Sequence, residues 1–93
     1  MSLRRSSLCP PGYRIGTQGV STLPPGAVSH AGRTHVHEGP EIFVIVSGAG
    51  VAHIDGTASG FAAGDVLIVE AGEEHHLEAV TEVVTAWMHL EPA

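Results

Sequence analysis

His35-Val36-His37-Glu38-Gly39-Pro40-Glu41-Ile42-Phe43-Val44-Ile45-Val46-Ser47-Gly48-Ala49-Gly50 is the stretch on which the fold turns. Side chains alternate faces along a strand, so His35 and His37 share one face and Val36 takes the other. Gly39-Pro40 then breaks the chain. Glu41 opens a second strand whose run Ile42–Val46 is apolar on both faces, as in a strand buried on both sides. Gly48-Ala49-Gly50 reads as a hairpin turn returning through Val51–Asp55.

The same short spacing extends in both directions. Upstream, Thr17–Leu23 is a strand ended by Pro24-Pro25-Gly26. Downstream, Gly56 and Gly60 bound another turn and strand, and Gly64-Asp65 opens Val66–Val69, which stops at Ala71-Gly72. Glu73–Glu91 contains no Gly or Pro and is open to two readings. Leu77, Val80, Val84, Trp87 and Met88 would line a helix, whereas β-branched Val80, Thr81, Val83, Val84 and Thr85 favour strands. Two strands, His75–Val80 and Val83–Leu90, with a turn at Thr81-Glu82 are preferred. Eight or nine short strands with frequent turns predict an all-β sandwich or barrel of the jelly-roll kind. Residues 1–15 show no periodicity and read as an N-terminal arm, leaving residues 16–93 as the barrel domain.

Composition narrows the function. The 93 residues suit one small domain whose thin core a partner subunit would support. Net charge is −6, lysine is absent, and all ten acids lie from Glu38 onward. A nucleic-acid binder needs a cationic surface, so that class is excluded. Schiff-base chemistry is excluded with the missing lysine. Cys9 is the single cysteine, which rules out an internal disulfide and fits a reduced, cytoplasmic setting. Arg4-Arg5 opens like a twin-arginine export signal, but no apolar stretch follows it, and no apolar run reaches membrane-spanning length.

Seven histidines stand out: His30, His35, His37, His53, His75, His76 and His89. His35 and His37 on one strand face, Glu41 just beyond the Gly39-Pro40 break and His75 at the head of a later strand supply three nitrogens and one oxygen. That donor set suits one divalent transition metal ion, with Fe, Mn, Ni, Co, Cu and Zn all compatible. Four protein ligands leave a coordination position open for water, substrate or dioxygen, as a catalytic site requires. Glu74 and His53 are the candidate acid–base residues, although turn carboxylates are commonly just solvated. The face His53 takes depends on the length of the Gly48–Gly50 loop. Glu73, beside Glu74, is a further candidate to support His75. His76 should face away from His75, and His89 shares parity with Trp87 beside the pocket, where an ordinary packed position is the simpler account.

This spacing resembles the cupin family. Its first motif, HxH, three or four residues, Glu, six residues, Gly, is matched by His35, His37, Glu41 and Gly48. Its second is matched at Gly64, Gly72 and His75. Ser29, Glu70 and Ala79 stand where the family pattern has Gly, Pro and Asn. The resemblance spans roughly residues 17–90 and implies a double-stranded β-helix barrel enclosing the metal, paired as a homodimer. The expected function is a metalloenzyme acting on a small oxygenated molecule, with dioxygenase chemistry leading. Isomerase, lyase, decarboxylase and cyclase cupins share the same shell. A non-catalytic binding or sensing module and a purely structural ion are the alternatives.

Overall fold

Two left-handed residues, Asp55 (φ 47°) and Gly56 (φ 80°), turn the chain back on itself between Ile54 and Thr57. Positive φ at both central positions is what a two-residue type I′ hairpin turn demands, and Asp-Gly meets it at low cost. The computed structural model describes residues 8–29 and 39–93. Among the described residues there are seven strands and no helix: β1 (Tyr13–Leu23), β2 (Glu41–Ser47), β3 (Ala49–Ile54), β4 (Thr57–Ala62), β5 (Val66–Val69), β6 (His75–Ala79) and β7 (Val83–Pro92). The expected strand carrying His35 and His37 lies outside the described residues. The ambiguous C-terminal stretch forms two strands. Accordingly, no helix among the described residues is long and apolar enough to cross a membrane.

The strands form two antiparallel sheets, ordered β1-β7-β2-β5 and β4-β3-β6. Their facing sides enclose one core of Phe43, Ile45, Ala52, Phe61, Val69, Leu77, Ala79 and Val83. Every strand but β1 contributes to that buried cluster, and Leu23 of β1 packs against it, which is the all-β jelly-roll architecture expected from the turn spacing. On β2, Ile42 and Phe43 lie on opposite faces and both are buried, while Val46 at the far end is exposed.

Two features differ from the sequence-based expectation. β2 and β3 are not a hairpin, because they belong to different sheets. Gly48 (φ 91°) is the corner at which the chain crosses, lying against the backbone of Glu82 and Val83. In addition, β1 begins at Tyr13 rather than Thr17. Tyr13, Arg14 and Ile15, within the stretch read as an arm, pair with Pro92, Glu91 and Leu90, and Arg14 sits 3.1 Å from the Glu91 carboxylate. Backbone pairing and an exposed ion pair hold this stretch, and neither leaves an apolar period to read.

Candidate metal centre

Glu41 is the first residue of β2 and stands directly opposite His89 of β7. His75 is the first residue of β6, in the other sheet. The Glu41 side chain is 4% exposed and that of His75 1%, so both polar groups lie inside the barrel. Each carboxylate oxygen faces one imidazole: Oε1 is 2.9 Å from His75 Nε2, and Oε2 is 3.0 Å from His89 Nε2. A buried carboxylate is costly unless such partners surround it.

The backbone fixes the geometry on both sides. Pro40 accepts a hydrogen bond from the Leu90 amide (2.9 Å), and a Cβ at Gly39 would collide with the Leu90 carbonyl. The chain therefore enters β2 pressed against β7, with Glu41 as the next residue. His75 Nδ1 lies 3.4 Å from the Glu73 carbonyl oxygen, which turns Nε2 towards Glu41. The Phe43 ring packs on the His75 ring at 5.8 Å between centroids.

Of the four expected metal ligands, Glu41 and His75 come together, and His35 and His37 lie outside the described residues. Among the described residues no group of three His, Cys, Asp or Glu is arranged to hold a metal ion. The donor chemistry of Glu41 and His75 nonetheless fits one: a carboxylate oxygen and an imidazole nitrogen, both buried, face each other across one point.

The candidate acid–base residues sit elsewhere. Ala52 is in the core, so its neighbour His53 takes the outer face of the β4-β3-β6 sheet. There it stacks on His76 (4.5 Å between centroids, 16°), with its Nε2 3.5 Å from Glu78 Oε1. His76 thus faces away from His75, as alternation requires. Glu74 is exposed, and its backbone is tied to Asp55 by an N–H to Oδ1 bond (2.8 Å) and a bond from the Asp55 amide (2.9 Å). Glu73 does support His75, through its carbonyl, while its carboxylate accepts the Glu70 amide at 2.6 Å.

His89, for which an ordinary packed position beside the pocket was the simpler expectation, instead contacts Glu41. The signal was its parity with Trp87 on β7, and its contact with Glu41 required the β2–β7 register.

A family model described as a cupin domain matches residues 19–91. The chain belongs to the cupin family. Among solved structures, this cupin is similar to a predicted oxalate decarboxylase from Thermotoga maritima, at 30% identity and a TM-score of 0.73, covering 85% of this chain and 68% of that one. It is also similar to the Cnp3 cupin domain of Schizosaccharomyces pombe (18% identity, TM-score 0.73, 100% and 63% covered). An RmlC-like cupin from Shewanella frigidimarina aligns at 20% identity and a TM-score of 0.65, with 87% and 75% covered. No curated protein matches the chain.

The positions where this cupin departs from the family pattern are all used. Ser29 Oγ accepts the Leu77 amide (2.8 Å) and the Ser29 amide bonds back to the Leu77 carbonyl (2.8 Å), two residues past His75. Glu70 closes the turn before His75 through its bonds with Glu73. Ala79 fills the core at 2% exposure and carries two backbone bonds to the Gly26–Ala27 segment.

Proposed function

We propose that this cupin is a metal-dependent enzyme acting on a small oxygenated molecule. In this reading one divalent ion (Fe, Mn, Ni, Co, Cu or Zn) is held by His35, His37, Glu41 and His75. The observation that carries it is the buried Glu41–His75 pair at 2.9 Å, on two positions that the cupin motifs reserve for ligands. A bound ion would polarise a substrate oxygen at its open position. The protein's part is to aim the donors and keep the site dry. Phe43 packs on the His75 ring, and its cross-strand partner Trp87 lies 5.3 Å from the ring of His89. Such walls suit a compact substrate.

Dioxygenase chemistry rests on the mixed His/Glu ligand set alone. The likeness to a predicted oxalate decarboxylase favours a second reading, decarboxylation of a small carboxylate. Elemental analysis of untagged protein, followed by assays for oxygen uptake and carbon dioxide release, separates the cases. About one equivalent of metal with oxygen uptake supports the dioxygenase. Carbon dioxide release from oxalate, without net oxygen uptake, supports the decarboxylase. Metal without either activity points to a binding module, and no metal with no melt shift on adding any overturns the reading.

We further propose that the molecule is a homodimer joined through the outer face of the β1-β7-β2-β5 sheet. Two cross-strand rows on that face, Val20-Ala86-Val44-Val66 and Gln18-Met88-Ile42-Ile68, carry no charge, and of these Ile42 is already buried within the chain. Val20, Val66 and Ile68 are 71%, 44% and 56% exposed, whereas the outer face of the other sheet carries His53, His76 and Glu78. An uncharged sheet face of this kind marks an association surface. Sedimentation is expected to give about twice the 9.6 kDa chain mass, reduced to one chain mass by Ile68→Glu. A wild-type monomer would contradict it.

A further inference from the structure

The geometry points to His89 as a positioning residue that fixes the direction in which Glu41 presents its carboxylate, with Thr17 holding His89 in turn. This rests on the proposed role of Glu41 as a metal ligand. His89 Nε2 is 3.0 Å from Glu41 Oε2, and His89 Nδ1 is 3.1 Å from Thr17 Oγ1. A hydroxyl can donate to Nδ1. Nε2 then carries the ring proton and donates it to Oε2, so one carboxylate oxygen is engaged and Oε1 is left directed at His75.

The backbone is shaped for this contact. Ile15 pairs with Leu90 and Gln18 with Met88, so two residues of β1, Gly16 and Thr17, oppose the single residue His89. That is a β-bulge, a device that re-aims a side chain beside a site. A Cβ at Gly16 would meet the exposed Glu91 carboxylate, which would have to swing away from Arg14 to make room. The His89 ring is also flanked by Trp87, whose indole N–H donates to Ser21 Oγ at 2.9 Å. β1 gives the core only the partly buried Leu23, yet through Thr17 and Ser21 it holds His89 and Trp87 of β7.

Cobalt(II) titration against a competing chelator tests this, with the visible spectrum of the bound cobalt as a second readout. His89→Ala and Thr17→Val are expected to weaken binding by about 10–100-fold while keeping near one equivalent at saturation. The His89→Ala spectrum should change as the freed carboxylate alters its coordination. His89→Gln, which keeps an N–H donor, and Thr17→Ser, which keeps the hydroxyl, should recover most of the affinity. Val83→Ala, a core change outside the site, should lower the melting temperature without moving the spectrum. Wild-type affinity and spectrum in both His89→Ala and Thr17→Val would overturn the positioning role. So would complete loss of metal in His89→Ala with no recovery in His89→Gln, since His89 would then be a ligand itself. A wild type that binds no cobalt would instead overturn the metal reading on which the inference stands.

Discussion

His75→Ala is expected to strip the protein of metal and leave a folded but much weakened barrel. The ring is 1% exposed at the head of β6, and its Nε2 is 2.9 Å from Glu41 Oε1. Removing it deletes a proposed ligand and also leaves a buried carboxylate short of a partner, which costs about 3–5 kcal/mol. Domains of this size have stabilities on the order of 5–15 kcal/mol, so the variant stays folded at low temperature with little reserve. Its melting temperature should fall by at least about 12 °C. Bound metal should drop below about a tenth of an equivalent by elemental analysis, and His37→Ala should likewise lose most of it. Metal at about 100 times its dissociation constant should stabilise the wild type by about 2.7 kcal/mol and the variant not at all. Full metal content in His75→Ala would remove it from the ligand set.

The second large effect is expected at the corner between the sheets. Gly48→Ala forces an L side chain into the left-handed region, at about 1–2 kcal/mol. The new Cβ would also meet the Glu82 carbonyl oxygen, with the Glu82 carbonyl carbon and the Val83 Cα each at 2.9 Å. These are backbone atoms, and Val83 is fully buried, so neither can swing aside. Overpacking of this kind adds about 1–3 kcal/mol. Gly26 is the control: its φ is similar, at 81°, but nothing lies within 4 Å of its would-be Cβ. Urea unfolding should show Gly26→Ala losing only the backbone part and Gly48→Ala losing clearly more. Equal losses would mean that the corner does not depend on its close packing.

The same corner shows what a sequence reading can and cannot reach. Asp55-Gly56, Gly64-Asp65 and Ala71-Gly72 announce their turns because the conformations they permit are local. The β-branched run after Glu82 likewise announces β7 against the helical alternative. Gly48-Ala49-Gly50 carries an equally local signal, but whether a turn stays in one sheet or crosses to another depends on distant strands. β2 pairs with β5 and β7, not with the strand that follows it.

The site divides along the same line. Glu41 and His75 could be singled out by residue type and spacing. The face taken by His53 turned on a one-residue register, which the inward position of Ala52 decides. The contact of His89 with Glu41 joins residues on strands far apart in sequence, and no periodicity encodes it. Thr17 meets His89 only because β1 carries a bulge, visible once its register against β7 is known.

One ion is proposed to sit between Glu41 and His75, and anomalous diffraction from crystals of the metal-loaded protein would locate it. A single strong peak is expected at the metal's absorption edge, about 2.0–2.2 Å from a Glu41 carboxylate oxygen and from His75 Nε2, with His35 and His37 completing the shell. A peak elsewhere, as on the stacked His53–His76 pair, or loaded crystals with no peak at Glu41 and His75, would contradict it.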